Sequence, residues 1–530
     1  MSLARNATAS QSPNQTNGYE RHQPEETLLY QLVEQHYPAF KTSLEAQGQH
    51  LPRYIQQEFD DFLQCGRLEY GFLRVRCEDC HHERLVAFSC KRRGFCPSCG
   101  ARRMAESAAL LIDEVFPKVP IRQWVLSFPF QIRFLLARHP ELMGQVLGIV
   151  YRTLSTHLIK AVPAHPCAHG ISASMHVKAG YTKATAQTGS VTLIQRFGSA
   201  LNLNVHFHML FLDGVYVEDD YGQQRFHRVK TPTHSELNTL VHTLSHRVAR
   251  CLEKQGLLER DAENTWLTLE EEEGDVLTQL QGSSMTYRIA TGPQQGRKVF
   301  TLQTIPGRED KTDTNSRVAN HAGFSLHAGV MAEAHQRDKL ERLCRYISRP
   351  AVSEKRLALT ANGQVRYELK TPYRNGTTHV IFEPLDFIAK LAALVPKPRV
   401  NLTRFHGVFA PNSKHRVQVT PSKRGKKPDP SETPDTDWHD KSPAERYRAM
   451  TWMQRLKRVF NIDIEVCEHC GGQVKVIASI EDPKVIEQIL KHLKRKAAKV
   501  DAAKQHELPP ERAPPLTASL FDPSQSRLFD

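Results

Sequence analysis

Three groups of residues have types and spacings that could do chemistry. Cys77-Glu78-Asp79-Cys80 and Cys96-Pro97-Ser98-Cys99 are separated by fifteen residues, the spacing of two short knuckles that close around one zinc ion. Thiolates select zinc because it is borderline-soft and redox-inert, and four of them leave no coordination position open, so the role expected of Cys77, Cys80, Cys96 and Cys99 is structural. Cys65, Cys90, His81 and His82 compete for places in that quartet. A further pair, Cys467 and Cys470, reads as half a knuckle with no visible second half.

The second group is His206 and His208. From Leu201 to Phe211 the odd positions are all apolar, while Asn202, Asn204, His206 and His208 take the alternate ones. A strand period of two then puts one face in a core and both imidazoles side by side on an open face, where they can chelate one ion. The third group surrounds Tyr346. Leu340, Leu343, Cys344 and Ile347 form the buried stripe of a helix that ends before Pro350, and Tyr346 lies off that stripe with Lys339, Arg342, Arg345 and Arg349 around it. A tyrosine among four cations suits a phosphodiester: the cations hold the phosphate and lower the cost of forming the phenolate.

The elements that must position these groups follow from pattern and composition. A chain of 530 residues, 40% of them hydrophobic, can fill two or three cores, which excludes a disordered protein. Pattern and composition divide it into a disordered start (1–25), a zinc-binding and DNA-binding module (26–120), an α+β domain (121–355) with an insertion at about 216–319, an accessory basic region (356–421), a linker (422–443), a small C-terminal unit (444–500) and a disordered tail (501–530). The most apolar run, Trp124 to Ala137, is cut by Pro129 and Arg133, so no membrane segment is expected, and the first residues do not resemble a signal peptide. The expected location is the bacterial cytoplasm, in association with the nucleoid. A net charge of +14 favours a polyanionic partner, because each neutralised phosphate releases a counterion. Arg92, Arg93, Arg102 and Arg103 beside the cysteines mark a DNA-contacting face.

The segment Ser89-Cys90-Lys91-Arg92-Arg93-Gly94-Phe95-Cys96-Pro97-Ser98-Cys99-Gly100, the His-Phe-His strand and the tyrosine helix, in that order, resemble those of rolling-circle transposases of the insertion sequence ninety-one family, most closely its common-region branch. The resemblance runs from about Leu28 to Leu493. It implies an HUH nuclease domain, an antiparallel sheet with helices on one face. It also implies a magnesium or manganese ion on His206 and His208 that polarises the scissile phosphate, and attack by Tyr346 that leaves a 5′-phosphotyrosine and a free 3′-hydroxyl. The implied partner is DNA, chiefly single-stranded or hairpin element ends. A third ligand is expected, with His327 the first choice and Asp213 and Glu341 the alternatives. One helical turn before Tyr346 stands Arg342 rather than the second tyrosine of two-tyrosine members, which implies a single-tyrosine enzyme.

Other readings compete. A replication initiator or relaxase often carries a helicase, and no G-x-x-x-x-G-K-[ST] phosphate loop is present. A tyrosine recombinase would need a His-x-x-Arg box, and no histidine between His206 and Tyr346 begins one. A non-enzymatic zinc regulator would bind DNA without joining to it covalently.

Overall fold

The computed structural model describes residues 17–18, 22–162, 181–219, 221–260, 265–268, 275–307, 317–422, 462–463 and 465–506. Of the ends expected to be disordered (1–25 and 501–530), residues 1–16, 19–21 and 507–530 lie outside them, as do residues 423–443 of the expected linker (422–443). The N-terminal part begins with α1 (Leu28–Glu45), capped by the Thr27 side chain, which accepts from the Tyr30 amide, and α2 (Arg53–Gln64). A hairpin of β1 (Phe72–Cys77) and β2 (Glu83–Ala87) follows, then α3 (Pro97–Leu110), which starts on a proline whose fixed φ suits the first helical position.

The central part comprises β3 (Ile121–Ser127), α4 (Phe130–Arg138), α5 (Pro140–Lys160), β4 (Gly189–Phe197), β5 (Leu203–Leu212), α6 (His234–Glu253) and α7 (Val276–Met285). It continues through β6 (Val318–His321), β7 (Phe324–Ala332), α8 (Arg337–Ile347), α9 (Pro384–Leu394) and β8 (Thr403–Gly407). Beyond the linker come β9 (Val474–Ile480) and α10 (Pro483–His506), which carries helix into the stretch expected to be a disordered tail.

Six strands form one antiparallel sheet in the order β6-β7-β3-β5-β4-β8. The histidine strand β5 is therefore interior, paired on one edge with β3 and on the other with β4. Its odd-numbered side chains, from Leu203 to Phe211, pack under α4, α5 and α6, together with Trp124 and Leu126 of β3 and Leu326 of β7. Helices are not confined to that face. The other face, carrying Leu193, Leu210 and Leu212, packs against Ala108 of α3 and Leu340, Cys344 and Ile347 of α8, because both helices present an apolar stripe that must be buried. A third core joins α1 and α2 to α7, α9 and the four-stranded sheet of Phe300–Gln303, Leu357–Leu359, Val365–Glu368 and Thr377–Phe382. The region expected as an insertion thus contributes α6 to the main core, and the accessory region contributes α9 and the edge strand β8.

A buried ion pair fastens the sheet to its loops. Arg122 Nε and Nη2 donate to the Asp213 carboxylate at 2.6 and 2.9 Å, and the same guanidinium reaches the Ala328 carbonyl and the Thr231 hydroxyl, each at 3.0 Å. Removing one partner leaves a dry charge unpaired, which costs about 3–5 kcal/mol. Asp213→Ala is expected to lower stability by that amount, measured by urea unfolding followed through tryptophan fluorescence, and an unchanged midpoint would show the pair to be dispensable.

Candidate active site and metal centres

The interior position of β5 decides the state of its histidines. His206 and His208 are only 9% and 6% exposed, so the face expected to be open is covered, because α8 docks across it. Burial holds the imidazoles down to about 4 and about 3, with the positive charge of Arg349 adding to both shifts. Both are therefore neutral at neutral pH, the form that offers a lone pair to a metal.

His206 Nδ1 lies 2.8 Å from the Asn204 carbonyl, which can only accept, so the proton sits on Nδ1 and Nε2 carries the lone pair. The two Nε2 atoms are 3.1 Å apart, and His208 Nδ1 lies 2.8 Å from the Gln123 side-chain nitrogen. In this arrangement Gln123 donates to His208, which in turn donates to His206. A half-turn of the Gln123 amide would let its oxygen accept from Nδ1 and free both Nε2 atoms for one ion.

The third ligand is not brought in. His327 shares the face, but its register partner Val125 stands between it and His208. Its Nε2 lies 2.8 Å from where a Cβ on Gly329 would stand, so that glycine gives the ring its room. Among the described residues, no His, Cys, Asp or Glu completes with the two imidazoles a set of three ligand atoms within 4.8 Å of one another. Asp213 is held by Arg122. Glu341 is buried on α8 beside Cys344.

Tyr346 is 39% exposed on the last turn of α8. Its ring has the Arg349 guanidinium 4.4 Å from its centroid and the Lys370 ammonium 3.9 Å from it, an arrangement that fixes the ring through its negative π-face. One hydrogen bond ties this helix to the histidines: Gln195 Nε2 donates to the Ile347 carbonyl at 2.9 Å, and Gln195 is the cross-strand partner of His206. Of the cations expected around the tyrosine, Arg349 is against the ring, Arg345 is half-buried, and Arg342 and Lys339 point to solvent. Lys370, Gln195 and Gln123 were not legible beforehand, since tertiary packing alone brings them here.

Between the N-terminal part and the sheet lies a cavity of about 330 Å³ lined by Arg92, Arg93, Arg103, Arg196 and Arg349, with no carboxylate in its wall. Arg93 donates to the Val400 carbonyl at 2.6 Å, Arg103 to the carbonyls of Lys91 and Arg92, and Arg92 pairs with Asp61. Arg196, 5% exposed, leaves Nε and Nη2 without a partner among the described residues. Burial lowers it to about 10, yet it stays charged at neutral pH. Arg102, expected on the same face, is paired instead with Glu106 one turn along α3.

The cysteines group differently from the expected quartet. Cys96 and Cys99 occupy the start of α3, where a spacing of three turns both sulfurs the same way, and they meet Cys65 at the end of α2 and Cys90 in the preceding loop. Sulfur separations of 3.4 Å (Cys90–Cys99) and 3.7 Å (Cys65–Cys99 and Cys65–Cys96) match the roughly 3.8 Å edge of a tetrahedron with zinc–sulfur bonds of about 2.3 Å. Cys77 and Cys80 sit at the far tip of the β1–β2 hairpin and face Cys467 and Cys470 instead. Two x-x-spaced pairs close in sequence are thus separated by β2, which carries the chain away from the hairpin tip before Cys90.

Residues 32–128 match the family model described as "Transposase zinc-binding domain", and residues 189–416 match the one described as "Putative transposase". Both matches are consistent with a transposase of the insertion sequence ninety-one family. The first match contains Cys65, Cys90, Cys96 and Cys99, and the second contains both histidines and Tyr346. No curated protein and no solved structure matches the chain. The transposase matches point to DNA as the partner, and no helix among the described residues is long and apolar enough to cross a membrane.

The zinc-binding part of this transposase should depend on Cys65, which belongs to neither expected knuckle. Cys65→Ser is expected to lower zinc content by one ion per chain and to loosen the N-terminal core, since the ion supplies much of the folding energy of so small a unit. Elemental analysis of the purified variant checks this, and unchanged zinc would remove Cys65 from the ligand set.

Proposed function

We propose that this transposase cleaves and rejoins single-stranded DNA at element ends through a 5′-phosphotyrosine on Tyr346, driving rolling-circle-type transposition. The observation that supports it best is the Gln195 bridge: a tyrosine with two cations at its ring rides on a helix hydrogen-bonded to the strand beside His206. The residues fit a divalent ion at the histidines, since both rings are neutral and their Nε2 atoms are 3.1 Å apart. Magnesium or manganese held by His206 and His208 would supply a Lewis acid to the scissile phosphate.

The chain's own residues do the rest. The Tyr346 oxygen attacks phosphorus, the bond from phosphorus to the 3′-oxygen breaks, and the phenolic proton is balanced by the proton taken up on the leaving 3′-hydroxyl. Arg349 and Lys370 neutralise the phosphate and orient the ring. The arginine-lined cavity between zinc module and sheet offers the flanking phosphates a wall that carries no carboxylate. With Arg342 in the place of a second tyrosine, each subunit has one nucleophile, so the covalent bond is kept for rejoining rather than passed to a neighbour on the same helix.

Tyr346→Phe is expected to abolish the covalent adduct while leaving single-stranded DNA affinity within about twofold, since only the nucleophilic oxygen is lost. On a denaturing gel the 3′-labelled strand should stay with the wild-type protein and the 5′-labelled strand should be released; a persistent adduct in the variant would move the nucleophile elsewhere. His206→Ala and His208→Ala should each slow cleavage by ~10²–10³-fold, because several kcal/mol of charge stabilisation are lost at 1.36 kcal/mol per factor of ten. Chelation of the wild-type protein should reproduce the loss and added magnesium or manganese should reverse it. Full-rate cleavage by the double histidine variant would refute the metal assignment.

A further inference from the structure

We infer that Cys77, Cys80, Cys467 and Cys470 form a second zinc site, split between the two ends of the chain, that fastens the C-terminal segment to the zinc-binding module. The match to the zinc-binding family ends at residue 128 and so includes half of these ligands. The inference is independent of the tyrosine chemistry.

The four sulfurs lie within 4.8 Å of one another. Cys77 meets Cys470 at 3.4 Å and Cys80 meets Cys467 at 3.5 Å, again close to the edge of a zinc–thiolate tetrahedron. Each pair sits on a knuckle whose backbone is shaped for the purpose. In the first, the Cys77 amide donates to the His82 carbonyl at 2.9 Å and His81 takes a left-handed φ of 59°. In the second, the Cys467 amide donates to the Gly472 carbonyl at 2.8 Å and the Gly471 amide to the Cys467 carbonyl at 2.9 Å, with Gly471 at φ 76°. The Gly472 amide also points at Cys470 Sγ, 3.4 Å away, a contact that stabilises a thiolate.

Close approach of the two knuckles depends on Gly472. A Cβ there would stand 2.2 Å from Asp79 Oδ2 and 3.0 Å from Cys77 Sγ, so any side chain would wedge the site open. Around the sulfurs the two ends are matched as one surface. Arg84 pairs with Glu468 at 2.7 Å, Lys475 with Glu78 at 2.5 Å, the rings of His82 and His469 stand 4.0 Å apart, and β9 pairs antiparallel with β1 from Phe72–Ile480 to Cys77–Val474. Surface ion pairs contribute little individually. A four-thiolate ion supplies far more, and here it closes a loop whose ends, Cys80 and Cys467, are 387 residues apart.

The test uses the full chain purified in the presence of zinc. Wild type is expected to hold two zinc ions per chain. Cys467→Ser with Cys470→Ser should hold one, Cys65→Ser the other one, and the triple variant none. Cys470→His, which keeps a ligand, should hold two. A specific protease site inserted between residues 440 and 441 gives a second readout: after cutting, the C-terminal fragment should co-elute with the body of the wild-type protein and separate from it after chelation or in the Cys467→Ser, Cys470→Ser variant. One zinc per chain in wild type, or two in the double serine variant, would overturn the site. A fragment that stays attached without zinc would overturn its fastening role.

Discussion

Strand β5 is bonded along both edges and packed on both faces, and the chemistry of the molecule depends on that confinement. An imidazole on such a strand cannot keep a proton that would charge it, because no water remains to solvate the cation. Neutral rings side by side must then satisfy their nitrogens locally, and they do so through Asn204, Gln123 and each other. What looks in isolation like a structural hydrogen-bond chain is also a pair of metal-ready nitrogens. The difference between the two states is the orientation of one glutamine amide. The rigid sheet supplies position, and the end of α8 presents Tyr346 at the surface with its ring held by two cations.

The N- and C-terminal parts obey a different constraint. The β1–β2 hairpin has too little apolar surface to fold on its own; its inner residues, Phe72, Val75 and Cys77, are few. Such a segment is stabilised either by cross-links or by docking. Both are used: β9 adds a strand to the hairpin, and the cysteines converge at its tip. The other cysteine set is placed deeper, where Cys65, Cys96 and Cys99 are part of the same core as α1, α2 and α9. One set holds the module together inside, and the other holds a distant part of the chain against it.

Much of this was legible in the residues. Alternation along Leu203–Phe211 gave the strand and the shared face of the histidines, because period two is enforced by backbone geometry alone. Of the stripe, Leu340, Cys344 and Ile347 are buried and Leu343 is half-buried against the same core, and Tyr346 is outside it. The cysteine pairing was not legible, since local spacing says which residues can ligate and not which knuckles meet. Cys77 and Cys80 found their partners some 390 residues away, and Cys467 and Cys470 found the second half that no neighbouring sequence supplied. The covering of the histidine face was likewise hidden: it depends on α3 and α8 docking on Leu193, Leu210 and Leu212, a long-range packing that no local pattern announces.

The distribution of charge gives a last consequence of the fold. A protein that buries a cation normally supplies a carboxylate, as Arg122 has Asp213 and Lys390 has Asp386. Arg196 has none, and the cavity it lines holds four further arginines with no acid in the wall. Arg92, Arg93 and Arg103 are positioned there by backbone carbonyls and by Asp61, contacts that orient a cation without cancelling the field of the group as a whole. Asp61 and the buried Glu58 offset part of the charge of Arg92, Arg93 and Arg103, and the repulsion that remains centres on Arg196, which has no acid partner among the described residues. A phosphate backbone entering from the side of Tyr346 would relieve it, so that the electrostatic cost of keeping the site open in the free protein becomes part of its affinity for DNA.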